Sequence, residues 1–196
     1  MLPLPPDLGR RLPRLLFGLL LYGWGLALMV ASDLGLGPWE VLHQGISFHT
    51  PIPIGTVGII TGLLVLVLWV PLRERFGLGT ALNVVLIGVV IDLTLLWLST
   101  PGHLVAQWIY LIGGLVMVGI ASGYYIGAGL GPGPRDGLMT GIARRGLPIG
   151  AVRTGIELIV LIGGWLLGGT VGVGTVLFAF GIGPLVQYFL PRLTVA

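Results

Sequence analysis

The sequence predicts an all-α membrane protein of six transmembrane helices, built as two inverted-topology three-helix repeats. Hydrophobic residues make up 55% of the 196 residues and charged residues only 9%, with ten arginines and no lysine. Such a chain has too few charges to solvate a globular surface. Its apolar runs are long enough to cross a hydrocarbon core about 30 Å thick. Matching motifs also recur at a spacing of about 95 residues.

Six apolar runs, separated by glycine, proline and charged residues, define the predicted spans. We expect one compact membrane domain, with a cytoplasmic segment 1–14, a first repeat 15–98 and a second repeat 104–191. The predicted spans are 15–34, 54–71, 78–98, 104–127, 149–168 and 173–191.

Arginine placement predicts the sidedness, because cytoplasmic loops of membrane proteins carry the excess of Lys and Arg. The connections 35–53, 99–103 and 169–172 contain no arginine. We therefore predict a multi-pass protein of the bacterial plasma membrane, with both termini in the cytoplasm. The arginines then on the cytoplasmic side are Arg10, Arg11, Arg14, Arg73, Arg75, Arg135, Arg144, Arg145 and Arg192.

The repeat rests on shared glycine and proline positions. Leu36-Gly37-Pro38 recurs as Leu130-Gly131-Pro132, and Gly77-Leu78-Gly79-Thr80 recurs as Gly172-Val173-Gly174-Thr175. Each half crosses three times, an odd number, so the halves must run in opposite directions. This arrangement is typical of secondary transporters and also occurs in channels.

Small residues recur every fourth position in the first and fourth spans. This spacing lets helix backbones approach closely in lipid. We predict two packing seams, and in one arrangement they face each other. The seams are Gly23, Ala27, Ala31 and Gly35 in the first span, and Gly119, Gly123, Gly127 and Gly131 in the fourth.

Two stretches, 37–50 and 131–147, are too short and too polar to cross a membrane. Each is predicted to form a short interfacial or re-entrant helix after the first span of its repeat, and Gly37-Pro38 fits the start of the first one. In the first, Glu40, His43 and Gln44 share a helical face. One interpretation is an amphipathic helix lying at the interface. The other is a re-entrant helix whose polar face lines a cavity.

Ionisable groups within spans are costly, so they are candidates for a substrate or ion path. We predict an inner cluster of Arg135, Asp136, Arg153 and Glu157, and an outer cluster of Asp33, Glu40, His43 and Asp92. A purely structural network is one interpretation, and proton uptake by Glu157 or Asp92 is the other. The candidate path residues are Glu40, His43, Asp92, Arg135, Asp136, Arg153, Glu157 and Gln187, the last being the repeat counterpart of Asp92.

Two strings, 34–45 (LGLGPWEVLHQG) and 133–139 (GPRDGLM), resemble the bacterial YczE/YyaS/YitT group of membrane proteins, and the resemblance extends from about Leu15 to Gln187. It implies an integral membrane protein of a group described as transporters, with some members linked to production or export of secondary metabolites. It implies no substrate and no site residues.

The leading functional hypothesis is a secondary transporter or exporter of a small molecule, coupled to protons and working by alternating access. The alternatives are a non-transporting accessory or scaffold protein for a biosynthetic or secretion complex, and a passive channel. We expect no enzyme, cofactor or metal, since the chain has no cysteine and shows no nucleophile–base pair or phosphate-binding loop. The expected partners are the lipid bilayer and an unidentified small-molecule substrate, not nucleic acid; a homo-oligomer is left open.

Overall fold

The computed structural model describes Pro5 and residues 7–195, and within this range every regular element is an α-helix. Six helices are long and apolar enough to cross a membrane. This confirms the predicted all-α class and the predicted number of candidate spans. The other two, α2 and α6, are the short stretches. The helices are α1 (Leu8–Ser32), α2 (Pro38–Phe48), α3 (Ile54–Leu72), α4 (Leu78–Leu95), α5 (Leu104–Gly127), α6 (Pro134–Ala143), α7 (Ile149–Leu166) and α8 (Val173–Leu193).

The first helix begins seven residues earlier than the predicted span. Leu8 and Leu12 pack on a buried cluster formed by α1, α5 and the turn after α5, so the helix is supported before its apolar run starts. Arg11 is hydrogen-bonded to Asp7 at 2.7 Å, and this bond is the main reason that the pKa of the Asp7 carboxyl lies below its ordinary value. Of the predicted segment 1–14, residues 1–4 and 6 lie outside the described residues.

The centre of the molecule is the antiparallel contact between α1 and α5. Gly25 and Gly114 meet there so closely that a methyl group on either one would collide with the carbonyl of the other. Helix α4 packs on α1, and α8 packs on α5. The main core lies between these four helices and α2, with Met29, Leu111 and Val118 fully buried.

The two predicted packing seams do not contact each other; the first packs on α4 and the second on α8. Gly23 contacts Val90 of α4, while Gly119 and Gly123 contact Leu185 and Phe189 of α8. The arrangement in which the two seams face each other is therefore wrong. Gly25 and Gly114, on another face of each helix, make the α1–α5 contact instead, because the small-residue spacing does not specify which neighbour a face will meet.

Two glycine turns connect the long helices to the short ones. Gly35 (φ 112°) and Gly131 (φ 126°) adopt a left-handed conformation that favours glycine. Beside each turn, a carbonyl accepts a hydrogen bond from a distant helix: Leu34 from the Gly174 N–H, and Leu130 from the Gly79 N–H, both at 2.8 Å. The chain from 7 to 95 (the first half) and the chain from 104 to 195 (the second half) are thereby interlocked.

The two short helices are inserted between long ones. Helix α2 packs on α3 and α7, and α6 packs on α3 and α7. The Trp69 indole of α3 donates a hydrogen bond to the Pro134 carbonyl at 3.0 Å. Glycines permit the close contacts: Gly45 meets α7 at Gly164, and Gly137 meets the Trp69 ring. Both short helices begin with proline at the first turn, a position that needs no N–H donor.

Candidate functional site

A cavity of about 350 Å³ lies between the two halves. Residues of all eight helices or of the turns beside them line it, so no single half forms it alone. Its volume falls within the range of about 300–1,000 Å³ found for small-molecule sites. Among the predicted path residues, Asp92 does not line the cavity, whereas Glu40, His43, Arg135, Asp136, Arg153, Glu157 and Gln187 do.

Glu40 of α2 and Arg135 of α6 form an ion pair across the cavity. Their nearest atoms, Oε1 and Nη2, are 2.8 Å apart, and the Glu40 side chain is only 4% exposed. No N–H of Arg135 points directly at Oε1, so this contact is an ion pair rather than a well-aligned hydrogen bond. The Arg135 guanidinium also lies 5.0 Å from the centre of the Trp39 ring, within cation–π range.

This pair corrects the prediction of two separate clusters. Glu40 was expected in the outer cluster and Arg135 in the inner one, yet the two side chains meet. The predicted topology placed Glu40 and Arg135 on opposite sides of the membrane. It could not show that α2 and α6 both pack on α3 and α7, which brings the two side chains together. Asp33, of the predicted outer cluster, is exposed at the end of α1 and does not line the cavity.

Asp136 follows Arg135 on α6 but has different neighbours. The Tyr125 hydroxyl donates a hydrogen bond to its carboxylate at 3.0 Å and accepts one from the Gly133 N–H at 3.2 Å. Within the described residues, Asp136 takes part in no salt bridge. Tyr125 was not among the predicted site residues; the only sequence signal for it is a phenol near the end of an apolar span.

Arg153 and Glu157 pair with each other on α7, at 3.0 Å between Nε and Oε1. Their four-residue spacing predicted this contact. The side chains are 55% and 30% exposed, and both residues line the cavity. Across Pro5 and residues 7–195, no ion pair connects them to Arg135 or Asp136, so the predicted single inner network is instead two separate pairs and one further carboxylate.

Asp92 of α4 caps the start of α3. Its carboxylate accepts hydrogen bonds from the Gly55 N–H at 2.6 Å, the Thr56 N–H at 2.7 Å and the Thr56 hydroxyl at 2.6 Å. The first N–H groups of a helix have no partner within the helix, so a carboxylate there satisfies them and complements the helix dipole. Beside this cap, Gly55 and Gly88 are in backbone contact, which closes α3 against α4.

The corresponding residues of the second half lie apart. Gly150 of α7 and Gly183 of α8, each 95 positions after Gly55 and Gly88, are exposed and have open space where a methyl group would be. Gln187, the counterpart of Asp92, is exposed as well. Helices α7 and α8 are not packed along each other as α3 and α4 are. Helices α3 and α4 are therefore closed against each other, whereas α7 and α8, which also contribute to the cavity wall, are apart.

Two buried polar atoms of the cavity wall have no partner among the described residues. They are Nε2 of His43 and Nε1 of Trp39, in side chains that are 4% and 6% exposed. Most buried polar atoms in proteins are hydrogen-bonded. The residues that carry these two atoms line the cavity. In the part of the chain that the structure describes, no three His, Asp or Glu side chains are arranged to hold a metal ion.

The six apolar helices define a multi-pass membrane protein with an internal cavity that charged and apolar residues line together. The sequence matches the family described as "Family of unknown function (DUF6198)" over residues 9–191. The chain belongs to this family.

Two relatives align with about nine-tenths of this chain. An uncharacterized protein of Haemophilus influenzae is 44% identical over 177 residues, covering 90% of this chain and 81% of the relative. The "Uncharacterized membrane protein YczE" of Bacillus subtilis is 36% identical over 179 residues, covering 89% of this chain and 83% of the relative. The resemblance to a YczE-type membrane protein is thus confirmed. No solved structure matches the chain.

Proposed function

We propose that this protein is a secondary transporter of a small molecule that works by alternating access. The main support is that two glycine pairs occupy matching positions in the two halves, but only one pair is in contact. Gly55 and Gly88 touch, whereas Gly150 and Gly183, at the same positions of the second half, are apart. A site between two halves, closed at one end and open at the other, is what one state of an alternating-access carrier requires.

An inverted repeat would give such a carrier its second state. Several contacts support this relation, since each recurs after 95 or 96 positions. The Gly77 N–H donates to the Thr80 hydroxyl, and the Gly172 N–H donates to the Thr175 hydroxyl, both at 3.2 Å. The hydrogen bonds at Leu34 and Leu130 and the left-handed glycines beside them correspond in the same way. Helices α2 on α7 and α6 on α3 are also matching contacts.

The arginine distribution assigns the two ends to sides of the membrane. Under the positive-inside rule, both termini and the open α7–α8 end are cytoplasmic, and the closed α3–α4 end faces outward. The state described here is then open to the inside. In this arrangement α2 and α6 are re-entrant helices, which is supported by the burial of residues 38–41 and 43–45 of α2 between spanning helices.

The outward-open state follows by exchanging the two packings. Gly150 and Gly183 would come into contact as Gly55 and Gly88 now do, while α3 and α4 would separate. The Gln187 side-chain oxygen would then accept the N–H groups at the start of α7, in the role that Asp92 has for α3. Each end would be held by a helix cap and a glycine contact in its closed form.

Glu157 is the proposed proton carrier. It lines the cavity, and its partner Arg153 is mostly exposed, so the pair is weak and can be exchanged. A carboxylate in this position can reach water at the open end and the cavity interior. Glu40 is less suited, because it is buried against Arg135.

The test is proton movement in liposomes with a pH-sensitive dye inside. A pH gradient is imposed, and a panel of small amphipathic compounds is added to wild-type protein and to Glu157→Gln. We expect one or more compounds to drive proton flux through the wild type and none through the folded variant. Equal flux in both proteins would remove Glu157 from the proton path.

Two other outcomes would replace the transport proposal. Flux that responds to each compound's own gradient but never moves protons uphill would indicate a passive channel. No flux with folded protein, together with a stable co-purifying partner, would indicate the accessory or scaffold role.

A further inference from the structure

The charges of the cavity do not cancel. Its wall carries three carboxylates, Glu40, Asp136 and Glu157, against two guanidinium groups, Arg135 and Arg153. The two ion pairs, Glu40 with Arg135 and Glu157 with Arg153, use both guanidiniums. Among the described residues, Asp136 is left with only the Tyr125 hydroxyl. Among these five groups, the wall carries one more negative charge than positive charges.

Two polar atoms in residues of the cavity wall lack hydrogen-bond partners among the described residues. They are Nε2 of His43 and Nε1 of Trp39, which are buried, and both residues line the cavity. The indole N–H is a donor only, whereas the imidazole nitrogen can accept. A hydroxyl group satisfies both, because it accepts from one atom and donates to the other. This part of the wall therefore fits a polar group on the ligand rather than apolar packing alone.

The volume of the cavity and the aromatic residues in its wall further restrict the class of ligand. A bare inorganic cation needs far less room than about 350 Å³. The cavity wall includes the rings of Tyr22 and Phe178, and aromatic faces attract ammonium groups. An anion would meet the excess carboxylate and would find Arg135 and Arg153 already paired.

We propose that the cavity binds a monovalent organic cation, an amine or quaternary ammonium compound that also carries a hydroxyl or similar polar group. Asp136 balances the ammonium charge, and His43 and Trp39 hold the polar group. This inference rests on the transport function proposed above, because it names the class of molecule carried in the same cavity.

Equilibrium binding to the protein in lipid nanodiscs tests the charge preference without requiring transport. The probes are choline, a choline in which benzyl replaces one methyl group, the uncharged carbon isostere neohexyl alcohol, and the anion tert-butylacetate. Tryptophan fluorescence reports binding, since Trp39 lines the cavity. We expect the two cations to bind, the benzyl compound more tightly, and the neutral and anionic isosteres to bind at least about fivefold more weakly.

Asp136→Asn is the informative variant, and Asp33→Asn is its matched control. Both remove one negative charge, but Asp33 does not line the cavity; it lies at the end of α1, in a left-handed conformation that asparagine also adopts. We expect cation binding to weaken about fivefold or more in Asp136→Asn and to remain unchanged in Asp33→Asn. Asparagine can still accept the Tyr125 hydrogen bond, so the variant should fold.

Three results would overturn the inference: tighter binding of the anion or the neutral isostere than of choline, equal cation binding by wild type and Asp136→Asn, or no binding of either cation. If the wild type is folded, the probe series decides the question even when the variant does not fold. Cation binding without flux in the liposome assay would support this site and contradict transport. Proton-coupled flux of uncharged or anionic compounds only would support transport and contradict the cation.

Discussion

The α3–α4 pair and the α7–α8 pair have matching glycines but opposite packing. In the first pair Gly55 and Gly88 touch, and Asp92 caps α3 with three hydrogen bonds. In the second pair Gly150 and Gly183 have open space around them. The small residues permit close approach in both pairs, so they do not decide which pair is closed.

The difference lies in the groups that can hold each closed form. Asp92 brings a charged acceptor to the start of α3, and Thr56 adds a hydroxyl donor. Their counterparts are Gln187 and Ala151, a neutral amide and a methyl group. Hydrogen bonds to charged groups contribute about 1.5–3 kcal/mol, against about 1 kcal/mol for neutral ones. The chemistry therefore favours closure between α3 and α4 as the more stable state.

Cross-linking of the open pair should have the largest effect. The chain contains no cysteine, so Ala151→Cys with Gln187→Cys introduces the only two thiols. A disulfide needs Cα atoms about 4.4–6.8 Å apart, and we expect it to form under oxidant only when α7 closes on α8. Proton-coupled flux should then fall to background and return on reduction.

The two single-cysteine variants, treated with the same oxidant, are the controls for this experiment. If the disulfide never forms after prolonged oxidation of folded protein, the α7–α8 pair does not close. If it forms completely without loss of flux, closure of this pair is not part of transport.

Replacing one glycine of each pair by alanine should change the free energy of unfolding differently in the two pairs. Gly55→Ala forces the added carbon into the Gly88 carbonyl, and we expect it to lower the free energy of unfolding by about 2–3 kcal/mol. Gly150→Ala has open space and should be neutral or stabilising by up to about 1 kcal/mol, since alanine is the better helix former. Denaturant titration in detergent micelles, followed by helical circular dichroism, measures both.

Flux through the Gly150→Ala variant tests whether the second glycine pair ever comes into contact. If the second state packs Gly150 on Gly183, Gly150→Ala should reduce transport although the substitution does not destabilise the protein. A Gly150→Ala protein with wild-type flux would show that the second pair never reaches the close contact of the first.

Removal of the cap should have a smaller effect of the same sign. Asp92→Ala leaves the Gly55 and Thr56 N–H groups without their partner, and we expect a loss of about 1–2 kcal/mol. Gln187→Ala, at the matching exposed position, should change stability by less than about 0.5 kcal/mol. The same denaturant titration measures this difference, and equal losses in the two variants would contradict the assignment of Asp92 as a cap.

Much of the helical framework could be predicted from the sequence. Apolar runs predicted six spans, and α3, α5 and α7 begin at the predicted residues Ile54, Leu104 and Ile149. The two polar stretches between spans predicted two short helices, and Gly37-Pro38 predicted where the first one begins. These features depend on hydropathy and on local backbone preferences, which a single segment carries by itself. The local ion pair of Arg153 with Glu157 followed from spacing for the same reason.

Only the tertiary structure decided which distant residues meet. Glu40 pairs with Arg135 although the two are 95 positions apart, and Asp92 caps α3 rather than lining the cavity. The small-residue seams pack on α4 and α8, not on each other. Local preferences are the same for every partner a helix face might meet, so they cannot select one. Packing of the whole chain selects the partners, and with them which of two similar helix pairs is closed.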